Sequence, residues 1–351
     1  MSATQPIQIA YGEFSSFIVG VLSAAGVPKE DASIVADCLL TANLSGVDSH
    51  GVVRLAHYIG RLDNGTIKKR PQLNFERVAP SMGIVDGDDG LGHFVSYHAT
   101  TRAMELAAEA GCGVVSVRNS SHFGMAGFYI LRMAAEGYIG LVMTATDRFL
   151  VPFGARKTFF GTNPIAFGFP TNNIPVVLDM ATSAIPYGKI ALAKVEGKPI
   201  PADWALDADG NPTTDPAAAA GLHPIAGPKG SGLAMVIDIF SSILAGMPFG
   251  PHINQMYAEM DEPRKLGHFI MALDVRRMMP LEVFQQTLHA MLNEFTALDP
   301  AEGFDRVFYP GEIEGLRREQ RRAEGVPIDP GLREELTELG QRFNVPFPGD
   351  E

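Results

Sequence analysis

A polar, titratable cluster lies at residues 119–128, NSSHFGMAGF, between a β-branched apolar run and a stretch with a helical pattern. His122 can accept or donate a proton near neutral pH. Because it precedes a helix, free backbone N–H groups and the helix dipole disfavour the imidazolium and leave a neutral base. A capping serine beside a surface histidine accounts for the same residues, since capping residues are common at such junctions. The spacing leaves both interpretations open.

A second cluster, residues 48–58 with the sequence DSHGVVRLAHY, has the composition of a carboxylate site. His50 and Arg54 are four residues apart, so they face the same way on a helix that begins here. Arg54 can clamp a carboxylate, Ser49 and the helix N-terminus add donors, and His50 can exchange a proton with a hydroxyl or carbonyl. An ordinary capped helix with a solvated arginine is the simpler interpretation of this stretch in isolation. His57, on an amphipathic face, is interpreted as structural.

Two further groups lie in the middle of the chain, which is rich in Gly and Pro. Asp179 ends a short strand, where its carboxylate can hold a ribose hydroxyl or orient an imidazole, although aspartate is also a routine strand terminator. Lys229 stands among glycines ahead of an apolar helix, an arrangement that can cradle a phosphate. The acids of LDADGNPTTDP fail as a calcium-binding EF-hand loop because Pro212 replaces the required glycine, so we expect a turn.

The periodicity predicts elements that position these residues. Helices are expected at 11–25, from Pro28 onward, at 51–65, at 98–110, at 281–298 and within 313–343. A strand at 113–117, a helix at 125–135 and a strand at 139–144 predict a parallel pair with a right-handed crossover. Ligands of open α/β sheets bind beyond the carboxyl ends of the strands. The segments after these two strands, which contain His122 and Thr146, are therefore expected to share a functional edge.

Composition and missing motifs exclude several classes of function. A formal charge of −12 without a long basic run argues against sequence-independent binding to nucleic acid or an anionic membrane. Cys38 and Cys112 make neither a disulfide framework nor a metal cluster, and no signal peptide opens the chain, so we expect a cytoplasmic protein. The apolar segment 230–246 contains Asp238 and is short for a membrane span, which predicts a buried helix. No GxGxxG fingerprint, Walker loop, HExxH or CxxC motif occurs.

Six blocks of the sequence, taken in order, resemble the malate/L-lactate dehydrogenase family, whose nicotinamide-binding fold is unrelated to the Rossmann fold. The blocks are DSHGVVRLAHYI, NSSHFGMAGFY, VPFGARKTFFGTNPIAFGFP, LDMATS, PIPADWALDADGNPTTDP and GPKGSGLAMVIDIFSSILAG. The resemblance implies an α/β fold with a non-Rossmann nicotinamide-binding domain and a mainly helical domain. We expect the cofactor-binding domain at 73–279, and the helical domain where the N-terminal segment 1–72 packs with C-terminal helices in 280–351.

The resemblance also implies roles for individual residues. His122 matches the proton acceptor of ureidoglycolate dehydrogenases and His50 the proton donor of 2,3-diketogulonate reductases, so both are catalytic candidates. Ser49 and Arg54 fall where the family meets its substrate. The positions that match NAD contacts are Thr146, Asp179, Met180, Ala181, Lys229, Pro310, Gly311 and Glu312.

Residues 246–274 and the stretch PAEGFDRVFYPGE are most similar to the ureidoglycolate dehydrogenase branch. This implies oxidation of the 2-hydroxy acid (S)-ureidoglycolate to oxalurate, with NAD as hydride acceptor and NADP left open. Members of that branch can carry Gly-His-Ser-Gly at the central motif, whereas this chain has Ser121-His122-Phe123-Gly124, the form common in the wider family. Malate, lactate and sulfolactate dehydrogenases and 2,3-diketogulonate-type reductases are therefore alternatives. Family resemblance further implies a homodimer or higher homo-oligomer.

Two alternatives from other classes stay open at this point. A metal-dependent hydrolase could be built from His50, His57, His122 and nearby acids. A non-catalytic binding module of the same fold would bind NADH without turning over any 2-hydroxy or 2-oxo acid.

Overall fold

The computed structural model describes residues 6–349, and its largest sheet has seven strands in the order β2-β3-β4-β11-β5-β6-β7. In chain order the strands are β1 (Ile7–Ile9), β2 (Asn74–Ala79), β3 (Met82–Asp86), β4 (Cys112–Ser120), β5 (Tyr138–Thr144), β6 (Ile165–Phe169), β7 (Val176–Met180), β8 (Ala205–Leu206), β9 (Pro212–Thr213), β10 (Gly221–Leu222), β11 (Leu266–Asp274) and β12 (Val326–Ile328). The helices are α1 (Tyr11–Ala24), α2 (Lys29–Leu44), α3 (Leu55–Asp63), α4 (Gly92–Ala110), α5 (Ala126–Ala135), α6 (Tyr187–Glu196), α7 (Pro228–Asp238), α8 (Leu281–Thr296), α9 (Glu312–Glu324) and α10 (Pro330–Phe343).

The strand–helix–strand unit β4-α5-β5 forms, but its two strands are not hydrogen-bonded neighbours. β11 lies between them and pairs antiparallel with both. β4 and β5 therefore run parallel to each other, as predicted, but they do not pair directly, and the hydrogen-bonded parallel neighbours in this sheet are β3 and β4, joined by α4. β11 is an almost continuous buried run, which suits a central strand covered on both faces. It comes from far along the chain, so local periodicity could not place it.

Helix α4 begins earlier than the predicted 98–110, at Gly92. Its first turns contain His93 and Ser96, which are fully buried polar residues and interrupt the apolar pattern. A Cβ at Gly92 would overlap the backbone oxygens of Ser121 and His122. The glycine therefore allows the start of α4 to pack directly against the loop that carries His122.

Helices α1, α2 and α3 share one hydrophobic core with β12 and α10. The buried members include Phe14, Ile18, Leu39, Tyr58, Val326 and Leu336. Strand β1 pairs antiparallel with β12, with Ile7 opposite Ile328. The predicted helical stretch 313–343 consists of two helices separated by this strand. Helix α8 instead contacts the loop between β6 and β7, where Gln285 Nε2 donates a hydrogen bond to the carbonyl of Thr171 at 3.3 Å. The domain division itself stays a prediction.

The apolar segment 230–246 is not the buried helix that the sequence predicted. It contains most of α7 and a π-helical turn, Ile239–Ile243, which follows directly. Its outward side chains are well exposed, as in Ile243 (57%) and Leu244 (58%). Hydrophobic composition indicates apolar character but does not say which side a neighbour covers. No helix within residues 6–349 is both long and apolar enough to cross a membrane.

The acidic stretch after β8 forms a turn, as expected. Asp207 Oδ1 accepts hydrogen bonds from the backbone N–H groups of Asp209 (3.0 Å) and Asn211 (2.8 Å). An aspartate that bonds backbone groups two and four residues later stabilises such a turn without a cation.

Candidate active site

A cavity of about 840 Å³ opens at the carboxyl ends of β4 and β5, beside the N-terminus of α5. It brings together most of the residues that the sequence analysis singled out. The predicted site residues that line it are Ser49, His50, Arg54, His122, Thr146, Asp179, Met180, Ala181, Pro310 and Gly311. These residues come from the N-terminal third, the sheet and the loop before α9, so only the folded chain assembles them.

His122 follows β4 in a turn that ends at Gly124, whose φ is +77°. Its Nδ1 lies 2.7 Å from the Tyr58 hydroxyl and 3.4 Å from the Gly124 backbone nitrogen. Burial holds the pKa of His122 well below its ordinary value, and the neighbouring His50 and Arg54 lower it further. His122 is therefore a neutral imidazole at physiological pH, with one edge toward the cavity.

His50 stacks on His122, with ring centroids 5.7 Å apart and planes 24° from parallel. Its Nδ1 is 3.1 Å from Ser49 Oγ. Burial lowers the pKa of His50 to about 4, and Arg54 contributes in the same direction. Both stacked histidines are therefore uncharged, which removes the repulsion between them and leaves each able to exchange hydrogen bonds with a substrate oxygen.

The spacing argument that placed His50 and Arg54 on one α-helix is wrong in detail. His50 ends a short 3₁₀ turn, Asp48–His50, and Arg54 ends the next, Val52–Arg54, ahead of α3. Gly51 separates them with an extended backbone (φ −89°, ψ −150°), and a Cβ there would overlap the side chain of Asn43. Both side chains reach the cavity because the two turns fold back on each other.

Arg54 is held by one hydrogen bond, from Nε to the carbonyl of Ser49 at 2.7 Å. Its guanidinium carbon lies 5.5 Å from the centre of the Tyr257 ring. Within residues 6–349, neither of its Nη atoms has a hydrogen-bond partner, so the fork of the guanidinium is available to a ligand. A free guanidinium fork in a cavity with two neutral imidazoles can bind a carboxylate bidentately.

Sequence reasoning did not identify a buried ion pair that borders the cavity. Asp147 Oδ1 accepts from Arg264 Nη2 at 2.8 Å, and its Oδ2 accepts the backbone N–H of Met256 at 3.0 Å. Arg264 is 2% exposed, and its Nε and Nη1 have no partner among the described residues. The sequence could have given only a weak signal, because the two residues are far apart in the chain and each type is common on surfaces.

Asp179 connects the end of β7 to the start of α5. Its Oδ2 accepts the backbone N–H of Gly127 at 2.7 Å, so it satisfies a free donor of the helix N-terminus. Asp179 is open to the cavity, but the protein atoms around its carboxyl desolvate it and raise its pKa to about 6; the Gly127 hydrogen bond opposes this rise, and Glu314 adds to it. Its Oδ1 has no partner in the described part of the chain, and can therefore accept from a ligand hydroxyl.

Thr146 and the turn before α9 complete the cavity wall beside Asp179. The Thr146 hydroxyl lies 3.4 Å from that of Thr162, and the Thr146 N–H donates to Asn163 Oδ1 at 3.0 Å. Pro310 accepts from the Val177 N–H at 2.9 Å, which fixes the turn against β7. Gly311 follows with φ +88°, where a glycine is needed.

Lys229 and Glu312 do not line the cavity. Lys229 is exposed in the first turn of α7. Glu312 is directed to its own neighbours: it pairs with Arg306 and accepts the Tyr309 N–H at 3.3 Å. Among residues 6–349, no group of three or more His, Cys, Asp or Glu side chains is arranged to hold a metal ion.

Comparison with known proteins agrees with this geometry. The family model described as malate/L-lactate dehydrogenase matches residues 9–337. A malate dehydrogenase from Pyrococcus horikoshii is 38% identical over 97% of this chain and 96% of its own. A ureidoglycolate dehydrogenase (NAD(+)) from Escherichia coli K12 is 34% identical (92% and 93%), and an L-sulfolactate dehydrogenase from Methanocaldococcus jannaschii is 39% identical (92% and 93%).

Two of these proteins are also similar in solved structure. The P. horikoshii structure covers 98% of this chain and is covered to 98%, with 36% identity and a TM-score of 0.89. The M. jannaschii structure covers 97% of this chain and is covered to 98%, with 36% identity and a TM-score of 0.91. The shared fold, the near-complete coverage and the assembled cavity lead to one conclusion: this chain belongs to the malate/L-lactate dehydrogenase family and is an oxidoreductase that acts on a CH–OH group.

Proposed function

We propose that the protein oxidises a small 2-hydroxy acid with NAD, and that this acid is (S)-ureidoglycolate, which becomes oxalurate. The observation that carries the proposal is the stacked, neutral pair His50 and His122 beside the free guanidinium fork of Arg54. A 2-hydroxy acid needs these two functions within a few ångströms of each other: a cation for the carboxylate and a proton acceptor for the adjacent hydroxyl.

Arg54 and Ser49 hold the substrate carboxylate in this mechanism. A neutral histidine, His122 or His50, takes the proton of the C2 hydroxyl as the C2 hydrogen leaves with its electron pair. General-base assistance of this kind contributes about 10² to 10⁴ in rate. Burial of both imidazoles keeps them uncharged, so each can accept a proton at neutral pH.

The part of the cavity beside Asp179 fits a nicotinamide dinucleotide, which accepts the hydride when it is bound. The free Oδ1 of Asp179 suits a ribose hydroxyl, and Pro310 and Gly311 offer a wall without bulky side chains. The cavity, at about 840 Å³, is much larger than a small acid requires. Thr146, Met180 and Ala181 line the same region, whereas Lys229 and Glu312 would need a rearrangement to contact the cofactor.

The choice of ureidoglycolate is supported by Asp147, which borders the cavity and retains acceptor capacity on both oxygens. A ureido group carries N–H donors that a carboxylate can accept, whereas a second substrate carboxylate or a sulfonate would be repelled. Arg264 favours the second candidate, a malate or sulfolactate dehydrogenase. Its Nε and Nη1 have no partner among the described residues, and its ion pair with Asp147 places a positive charge beside the cavity, which would stabilise a second anionic group.

Acidic side chains support NAD over NADP. Asp179 and Glu314 line the same part of the cavity, and Glu314 acts on the carboxyl of Asp179 electrostatically. An added ribose phosphate dianion near this pair would be repelled. Use of NADP stays the alternative, since one relative at 34% identity is named as an NADP(+) enzyme.

We also propose that the protein acts in the cytoplasm as a homodimer or higher homo-oligomer. The cytoplasmic location is proposed because the two cysteines, Cys38 and Cys112, are unpaired. The homo-oligomeric state is proposed from the family resemblance alone. Light scattering of the purified protein at several concentrations tests the oligomeric state.

The first experiment follows the nicotinamide absorbance when purified protein meets NAD or NADP with (S)-ureidoglycolate, malate, lactate or sulfolactate. NAD reduction with ureidoglycolate at a kcat/KM at least tenfold above the other acids supports the proposal. A preference for malate or sulfolactate would contradict the proposed substrate but support oxidation of a 2-hydroxy acid. No absorbance change with any of the acids, or with the matching 2-oxo acids and NADH, would contradict the proposed dehydrogenase activity.

A further inference from the structure

The hydroxyl of Tyr58 contacts the imidazole of His122, and Tyr58 itself is not among the residues that line the cavity. Tyr58 is fully buried in α3, and its Oη is 2.7 Å from Nδ1 of His122. The two rings are nearly parallel, at 25°. Burial raises the pKa of the Tyr58 hydroxyl far above its ordinary value, so it keeps its proton at any physiological pH. It can therefore donate a hydrogen bond to Nδ1.

A second group faces the same nitrogen. The backbone N–H of Gly124 lies 3.4 Å from Nδ1, and a backbone N–H can only donate. A neutral imidazole has one N–H and one lone pair, and the hydrogen-bond network decides which nitrogen carries which. Because the Gly124 amide requires an acceptor, the lone pair belongs on Nδ1 and the proton on Nε2.

We propose that Tyr58 is a positioning residue which, with the Gly124 amide, holds neutral His122 as the Nε2–H tautomer, so that His122 donates a hydrogen bond to the substrate oxygen while His50 exchanges the proton. This inference rests on the proposed function and divides the roles that it left shared between the two histidines. A neutral imidazole that polarises a carbonyl in this way is a known catalytic arrangement.

His50 is not constrained in the same manner. Among the described residues, the one hydrogen-bond partner of its ring nitrogens is the hydroxyl of Ser49, 3.1 Å from Nδ1. A hydroxyl can donate or accept, so Nε2 of His50 is free to present a lone pair. His50 can therefore accept the substrate hydroxyl proton, which His122 cannot do while its Nε2 carries a proton.

The reaction balances with these roles. The C2–H bond breaks and its electron pair leaves with the hydrogen as hydride, which a nicotinamide held beside Asp179 would accept. The hydroxyl proton passes to His50, and the C2–O bond becomes a carbonyl. His122 keeps its Nε2 proton throughout and strengthens its hydrogen bond to the oxygen as negative charge develops there. His50 then releases its proton to solvent.

The tautomer is measured directly by long-range ¹H–¹⁵N NMR of protein labelled with ¹⁵N-histidine, at a pH where His122 is neutral. The His122 signals are assigned by their loss in the His122→Gln variant. We expect the wild-type pattern of an Nε2–H tautomer. In Tyr58→Phe, which keeps the ring and removes the hydroxyl, we expect the pattern to shift toward a mixture of tautomers.

The same variant is tested for turnover with the acid that gives the fastest NAD reduction. We expect kcat to fall about three- to tenfold and KM to change less than twofold, since a lost hydrogen bond of this type is worth about 1 kcal/mol. Tyr129→Phe is the matched control. It removes another buried hydroxyl, which donates to the Phe123 carbonyl and not to His122, so it should leave the tautomer and kcat unchanged.

An Nδ1–H pattern in the wild type overturns the proposal, and so does a Tyr58→Phe variant whose tautomer and kcat match the wild type. The wild-type spectrum decides the first point even if the variant fails to fold. Because the NMR measurement needs no substrate, a wrong substrate in the proposed function leaves this test intact.

Discussion

The imidazole of His50 stacks on the imidazole of His122, 72 positions later in the chain, with 5.7 Å between ring centroids. Both rings line the same cavity, and burial lowers the pKa of each. Because both imidazoles are neutral, one of them can accept a proton from the substrate while the other donates a hydrogen bond to it. The hydrogen-bond partner of each ring, Ser49 for His50 and Tyr58 for His122, decides which imidazole has which role.

Replacement of the two histidines by glutamine should have unequal effects. His50→Gln removes a proton acceptor, so we expect kcat for oxidation to fall about 10² to 10⁴. His122→Gln keeps an N–H donor near the position of Nε2, and we expect a smaller loss, about tenfold, with a larger one in His122→Ala. Steady-state rates with the preferred acid check this. Near-normal turnover in His50→Gln would assign the proton transfer to His122.

The Arg54 guanidinium should control substrate affinity. In Arg54→Lys the charge stays but the fork is lost, so we expect kcat/KM to fall about 10- to 100-fold, mainly through KM. Arg102→Lys is a matched control, because Arg102 is exposed on α4 and pairs with Glu105. An unchanged KM in Arg54→Lys would show that the carboxylate binds elsewhere.

The pH dependence of oxidation reports the lowered pKa of His50. A base must be uncharged to accept a proton, so activity is lost as pH falls through its pKa. An ordinary histidine would lose activity below its usual pKa of 6.5, whereas His50, with a pKa of about 4, should hold kcat/KM constant down to roughly pH 5. A profile of kcat/KM for the acid, measured at saturating NAD so that cofactor binding through Asp179 does not contribute and with stability measured at each pH, tests this. A midpoint near 6.5 would contradict the pKa of His50.

Asp179 should couple cofactor binding to pH. Its pKa is raised to about 6, so the carboxylate is present above that pH and is lost as pH falls through it. If it accepts a ribose hydroxyl, NAD affinity should weaken over the same interval. Titration of NADH fluorescence at several pH values measures this. Asp179→Asn should weaken binding about 5- to 30-fold and abolish the pH dependence, and a variant that keeps it would point to another group.

Gly124 should be needed for stability as well as for the His122 turn. Its φ is +77°, and a Cβ there would lie 2.9 Å from the ring of His93. Gly65 is the matched control, since its φ is +73° and no heavy atom of residues 6–349 crowds an added Cβ within 4 Å. We expect Gly65→Ala to lower the free energy of unfolding by about 1 kcal/mol and Gly124→Ala by about 2 to 4 kcal/mol. Urea unfolding measures both, and equal losses would mean that the His93 contact yields.

Many elements were predictable because their signals are local. The first helix ends at Ala24, within one residue of the predicted end, and α5 begins within one residue of the predicted start. Predictions that depended on partners were weaker. The predicted helix 98–110 is shorter than α4 because His93 and Ser96 are polar residue types, and only the folded structure shows that they are buried.

The sequence by itself determined the residue types of the chemistry: the histidines of the two clusters, the arginine four residues after the first, and the aspartate at a strand end. Their order and spacing also indicated the family. The tertiary structure alone decided that these groups share one cavity, because β11 enters between β4 and β5 from far along the chain and two 3₁₀ turns bring His50 onto His122. It also placed the Tyr58 hydroxyl on Nδ1 of His122. Long-range packing fixes these distances, and no local pattern in the chain encodes them.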